Sequence, residues 1–215
     1  EGHKFPMAKY ELLPRQLMEE GTCTSANFFE PGILTDEHIL AVHDQQYYED
    51  LQAMRIEGLA ARKIGFPLSE ELILREKIIA DGTVKGCQFA LRHGIAMNIA
   101  GGTHHAYTNR AEAFCLLNDQ AIGARYLLNS GKARQILIID LDVHQGNGTA
   151  EIFSGDDRVF TFSMHGAGNY PFQKEKSDLD IALKKGTSDQ EYLGLLEQNL
   201  EVLINGLQPD FIFYL

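Results

Sequence analysis

At 215 residues, 44% hydrophobic and 23% charged, the chain has the size and composition of one globular domain able to bury a core. A net charge of −11 argues against a direct nucleic-acid surface, and no apolar run approaches the ~18 residues of a membrane span. Cys23, Cys87 and Cys115 have no metal-type spacing and form no even set, and no signal-peptide pattern opens the sequence, so free thiols in a reducing cytoplasm, or a eukaryotic nucleus, are expected.

Residues 1–215 read as a single domain, expected to be cut at both ends: the chain opens on Glu1-Gly2-His3 without an initiator Met and closes on the strand-like Phe211–Leu215. Met7, Tyr10, Leu13 and Leu17 recur at helical spacing, with Pro14 expected to kink or divide that helix. Asn27 to Pro31 is rich in turn formers. Thr35 offers a cap, with Asp36 and Glu37 in the first turn of a helix through Ile39, Leu40 and His43. A helical pattern runs from Tyr47 to Ala61 and breaks at Gly65-Phe66-Pro67; Ser69 then starts a long helix to about Arg92. Gly94 to Ile99 reads as a short strand entering Gly101-Gly102-Thr103-His104-His105.

A helix from about Asn118 to Ser130 leads to Ile136–Ile139, an uncharged, aliphatic run typical of a buried parallel strand. Ala150 to Phe153 is a helical turn and Val159 to Ser163 the next strand, with Met164-His165-Gly166 starting a loop through Pro171. Lys174 to Asp189 reads as a charged surface connection, Gln190 to Leu207 as an amphipathic helix, and Phe211 to Leu215 as the last strand. Strands alternating with helices imply an α/β domain whose parallel sheet is covered on both faces.

The chemistry concentrates at the end of the Ile136–Ile139 strand, where Asp140, Asp142 and His144 occupy alternate places. With a strand period of 2 they project from one side, and Leu141 and Val143 from the other. Two carboxylates and an imidazole at a buried strand end repel and lose hydration unless a ligand such as a divalent metal binds them. Gly146-Asn147-Gly148 adds a turn in which backbone can approach that ligand. His104-His105 alone would more often be a solvated pair, but their place after a strand and two glycines puts them on the same rim, as does that of His165. His3, His38 and His93 are expected at the surface or at helix caps, and His43 either there or as structural support near the site.

GGTHHA at 101–106, DLDVHQGNGT at 140–149 and FSMH at 162–165 together resemble the histone deacetylase superfamily of metal-dependent amidohydrolases. HKFPM near the start, VHDQQYYEDL, FCLLND and SMHGAGNYPF extend the likeness over essentially the whole chain. It is most similar to class IV-like and bacterial members, in which the glycine turn carries Asn rather than Asp. The resemblance implies a three-layer arginase/deacetylase-like α/β fold, a central parallel sheet flanked by helices, with its C-terminal part missing.

By the same resemblance, Asp142 and His144 are two ligands of a single zinc, with Fe2+ as the alternative for such a donor set. Asp140 would orient His104 and, with Asp142, His144, Ser163 and Met164, hold a structural K+; a further cation site is implied near Phe153, Asp156 and Val159. His105 would be the general base and acid, with Asn147 as its partner, and a neutral Asn raises the basicity of His105 less than an Asp would. Phe114, with Tyr170 or Phe172, would wall a channel for the lysine stem. The implied reaction is hydrolysis of the acyl amide of an acylated lysine peptide or protein, or of a small acyl-amine such as an acetylpolyamine.

The family's third zinc ligand, an Asp in an Asp-Pro segment, and its oxyanion-stabilising Tyr have no match in these 215 residues. Activity is therefore expected of the parent protein and little or none of these 215 residues alone. Three alternatives remain: a dinuclear manganese ureohydrolase, disfavoured by the D-x-D-x-H order; a deacetylase of small acyl amines; and an inactive acyl-lysine binder.

Overall fold

The computed structural model describes residues 7–215, so His3 and most of the HKFPM run lie outside the described residues. The chain forms α1 (Lys9–Glu19), α2 (Asp36–Leu40), α3 (Gln45–Gln52), α4 (Gly58–Ile64), α5 (Glu70–His93), α6 (Asp119–Asn129), β1 (Ile136–Asp140), α7 (Asn147–Ile152), β2 (Val159–Gly166), β3 (Leu179–Leu183), α8 (Asp189–Leu207) and β4 (Phe211–Tyr214). Among the described residues the strands make one sheet in the order β3-β2-β1-β4, and every pairing is parallel.

Alternation along β1 divides the interior in two. Ile136 and Ile138 pack with Phe213, Val159 and the helical side chains Val84, Cys87, Ile122 and Leu127. Leu137 and Ile139 face the other way, onto Phe162, Met164 and Leu203, with Leu196 and Leu200 of α8 beside them. Gly123 lets α6 lie against β4, because an added Cβ there would meet the Phe213 ring at 3.1 Å. All five residues of β1 are buried, as the uncharged run required.

The strand order also locates the crevice. From β1 the chain steps to β2 and β3 on one side, then returns to place β4 on the other. Ligands in open α/β sheets bind outside the carboxyl ends of strands where the winding reverses, here between β1 and β4. Leu141 N–H donates to the Leu215 carbonyl at 2.8 Å and Leu215 N–H to that of Ile139 at 2.9 Å, closing the strand ends together.

Several expectations are corrected. Pro14 does not divide α1, which runs through it. The Tyr47–Ala61 helix is two helices, with positive φ at Met54 in the break and at Gly58, which opens the second. Gly94–Ile99 is not a strand: it finds no ladder partner among the described residues, and Ile95 and Met97 are 83% and 69% exposed. The 174–189 connection contains β3, whose Ile181 packs on the α8-side core while Asp180 and Ala182 face out. β2 continues through Met164 and His165 to Gly166 because it pairs with β3 along that stretch.

Candidate active site

β1 ends at Asp140, and Asp142 and His144 lie beyond it rather than on an extended strand. The cause is local. Asp140 Oδ1 accepts the Asp142 N–H at 3.0 Å, and Asp142 Oδ1 accepts the His144 N–H at 2.7 Å. Two successive aspartates thus capture the backbone two residues on and replace the sheet ladder by consecutive turns. The alternation of faces survives: Leu141 joins the α8-side core, whereas Asp142 and His144 share the crevice.

The groups fall into a buried layer and an open one. Asp140 is buried, and its Oδ2 accepts Nδ1–H of His104 at 2.6 Å. Burial pulls the His104 imidazole down, but the charge and hydrogen bond of Asp140 outweigh it and leave the pKa raised. The His105 ring lies 4.0 Å from that of His104 and donates its Nδ1–H to Asn147 Oδ1 at 2.7 Å. Burial first, then repulsion from His104, pushes the His105 pKa down to about 3, against the opposing Asn147 bond. In the open layer, Asp142 and His144 remain 41% and 42% exposed, with Asp142 Oδ1 and His144 Nδ1 3.0 Å apart.

Asn147 is itself held. Its Nδ2 donates to the Tyr107 hydroxyl at 2.9 Å, and Tyr107 donates to Glu175 Oε1 at 3.1 Å, which fixes the amide with its oxygen toward His105. Gly148 is the close-approach position of this turn, since a Cβ there would lie 2.2 Å from the Ala106 carbonyl oxygen. Below, His43 is buried rather than at the surface: Nδ1–H donates to the Tyr107 carbonyl at 2.9 Å and Nε2 accepts the Asn118 N–H at 3.0 Å. Burial drives the His43 pKa to about 4, so both bonds are made by one neutral tautomer.

Tyr170 stands edge-on to His105 and His144, with ring centroids at 5.1 and 6.2 Å. Burial, then the Glu112 carboxylate, raises its hydroxyl to about 12. Phe114 is half-buried at φ +69°, in edge contact with Phe66 at 4.9 Å. Phe172, expected as a wall alternative, is 91% exposed, because after Pro171 its ring turns to solvent. Ser163 pairs in register with Asp140 across β1 and β2, next to buried Met164; its Oγ bonds His165 Nδ1 at 2.9 Å. The Phe153 and Asp156 carbonyls already accept the N–H groups of Asp156 and Val159, and the Asp156 carboxylate takes Arg125 and Arg158.

Tyr107, Glu112 and Glu175 were not singled out from the sequence. Nothing in local spacing joins residue 175 to residue 107; the contact exists only once the 167–178 loop has folded back over the site. The Asx-turn geometry had a local signal, in the spacing of Asp140, Asp142 and His144, but the strand period obscured it.

The family profile of the histone deacetylase domain matches residues 3–215. The chain belongs to the histone deacetylase family. An uncharacterized protein of Picosynechococcus sp. is 43% identical over 100% of the chain, which covers 71% of that relative. The crystal structure of an HDAC homolog from Aquifex aeolicus superposes with a TM-score of 0.80 at 27% identity, over 94% of this chain and 60% of that one. An HDAC homolog complexed with SAHA superposes with a TM-score of 0.79 at 29% identity, also over 94% and 60%. The deacetylase fold therefore accounts for the parallel sheet and its flanking helices, and the chain spans about 60% of the length of these solved relatives.

Proposed function

We propose that the protein carrying this chain hydrolyses the acyl amide of acyl-lysine with the help of one divalent metal, and that His105 handles the proton. The observation that carries this reading is the 2.7 Å contact of His105 Nδ1 with Asn147 Oδ1: an amide oxygen can only accept, so Nδ1 bears the hydrogen and Nε2 presents a lone pair beside the open Asp142/His144 pair.

The donor chemistry fits a zinc ion. A carboxylate oxygen and an imidazole nitrogen 3.0 Å apart are close to the ~3.3 Å tetrahedral edge implied by metal–ligand bonds of about 2.0–2.1 Å. Among the described residues no group of three or more His, Cys, Asp and Glu could hold a metal; Asp142 and His144 are proposed as part of a ligand set, and the 215 residues alone are proposed to be inactive. A zinc ion held there would supply Lewis acidity toward the acyl carbonyl and the attacking water.

The chain's own residues do the rest. His105 Nε2 takes a proton from the attacking water as the new C–O bond forms, and returns it to the lysine nitrogen as the C–N bond breaks. His104, fixed by Asp140 and with its pKa raised by that carboxylate, lends electrostatic support to that exchange. Tyr170 and Phe114 wall the approach, favouring a neutral amide on an aliphatic stem over an ammonium. That a structural relative is complexed with SAHA supports an acylated amine as the substrate here. Asp140, Ser163, Met164 and the backbone of Asp142 and His144 are proposed to hold K+.

The test compares acetate release from an acetyl-lysine peptide and from an N-acetylated polyamine. The full-length protein should turn over the peptide, and His105→Ala should lower kcat by about 10²–10⁴-fold. Turnover of the polyamine alone would reassign the substrate to small acyl amines; peptide binding without turnover would make the protein an acyl-lysine binder.

A further inference from the structure

Asp119 carries no role in the proton exchange just described, yet it is a buried carboxylate directly behind the tandem histidines. It opens α6, immediately after the N-cap Asn118. Its Oδ1 accepts three hydrogen bonds from the segment leading into His104: Gly102 N–H at 3.1 Å, Thr103 N–H at 2.8 Å and Thr103 Oγ1–H at 2.6 Å. The Thr103 hydroxyl in turn accepts the Asp119 N–H at 3.0 Å, so the two residues grip each other reciprocally. Oδ2 accepts Thr83 Oγ1–H from α5, and Thr83 accepts Asn98 Nδ2–H at 2.7 Å.

Two glycines allow this turn. At Gly101 an added Cβ would lie 2.7 Å from Asp119 Oδ2, and Gly102 has φ +95°, a conformation that L side chains rarely adopt. The far end of the histidine segment is fixed by Asn118, whose Nδ2 donates to the Ala106 carbonyl at 3.1 Å. Between these anchors, at Thr103 and Ala106, lie only His104 and His105.

We propose that Asp119 is the positioning residue for His104 and His105: its carboxylate, braced by Thr83 and Asn98, fixes the Gly101–Thr103 turn and thereby the placement of both imidazoles. The inference rests on the function proposed above for those imidazoles. Fourfold acceptance by one buried carboxylate is more than packing requires, since an apolar side chain of equal volume would fill the space without ordering the turn. A displacement of about 1 Å at a reacting group costs on the order of 10²-fold in rate, whereas substrate affinity depends on the channel walls, which Asp119 does not touch.

The experiment uses the full-length, metal-loaded protein and reads steady-state kinetics on an acetyl-lysine peptide together with hydrogen–deuterium exchange. Asp119→Ala should lower kcat about 100-fold with KM within about twofold, and exchange should rise in the 101–106 segment while that of β1 stays as in wild type. Asp119→Asn, which keeps one acceptor oxygen, should restore most of the loss. Thr103→Val, which removes one hydroxyl and leaves the carboxylate, should lower kcat several-fold at unchanged KM, and it decides the matter should Asp119→Ala fail to fold. Wild-type kcat in Thr103→Val, an equal rise of exchange over the whole chain, or a loss confined to KM would overturn the proposal. If the wild-type protein hydrolyses no acyl amide, the function proposed above falls, while the exchange of 101–106 still decides whether Asp119 orders the turn.

Discussion

Glu76 shows how a single side chain imposes a pH dependence on the fold. It lies in α5 at 1% exposure; Arg75 donates to Oε1, and Oε2 has no partner among the described residues. Burial pushes its pKa up to about 7 even though the Arg75 charge opposes the shift. The folded state thus holds the proton more tightly than the unfolded chain, whose glutamate titrates near 4.5. The associated stability is complete below about pH 4.5 and is lost as pH rises through 7, by up to about 3 kcal/mol. Glu76→Gln should flatten this dependence, and urea midpoints at pH 5 and pH 8 measure it: the wild type should lose stability between them through this group and the variant should not. Nothing in Arg75-Glu76-Lys77 reveals this burial, because a charged triplet in a helix reads as a solvated face. Asp140 gave the converse signal: a carboxylate ending the uncharged 136–139 run drew attention to the place where the structure gathers His104, His105 and Asn147.

Elements were legible where one period dominates and obscure where two local preferences compete. The aliphatic 136–139 run and the Ser69-capped α5 appear as expected, with Ser69 Oγ accepting the Leu72 N–H at 3.2 Å. The 94–99 segment was misread because β-favouring residues make a strand only where a ladder partner exists. β3 was hidden among charges because one face of an edge strand is solvated, which makes its pattern resemble a surface loop. The α4–α5 junction carries a testable consequence. Gly65 ends α4 at φ +80°, and a Cβ there would lie 2.6 Å from Phe114 Cε1. Gly65→Ala should therefore destabilise the protein by about 1–2 kcal/mol for the left-handed backbone alone, and should also displace Phe114. Urea unfolding gives the first effect, and a raised KM for the acetyl-lysine peptide with little change in kcat gives the second. An unchanged KM would remove Phe114 from the channel wall.

At the scale of the whole molecule, the order β3-β2-β1-β4 places the winding reversal beside β1, and the Asx turns after Asp140 deliver Asp142 and His144 into the resulting crevice. The loop bearing His104 and His105 is brought to the same place by contacts with α6 and α7, including the Thr149 N–H to the His104 carbonyl at 3.1 Å. Sheet topology, turn chemistry and the hydrogen bonds of the tandem histidines thus support the metal-assisted hydrolysis proposed above, and metal dependence is its most direct test. Acetate release from an acetyl-lysine peptide should be measured on the full-length protein after chelation and after titration with zinc. Activity should vanish on chelation, return at one zinc per chain, and fail to return in Asp142→Ala even though that variant remains folded. Activity that survives chelation, or that zinc restores fully in Asp142→Ala, would contradict the assignment of Asp142 and His144 to the metal.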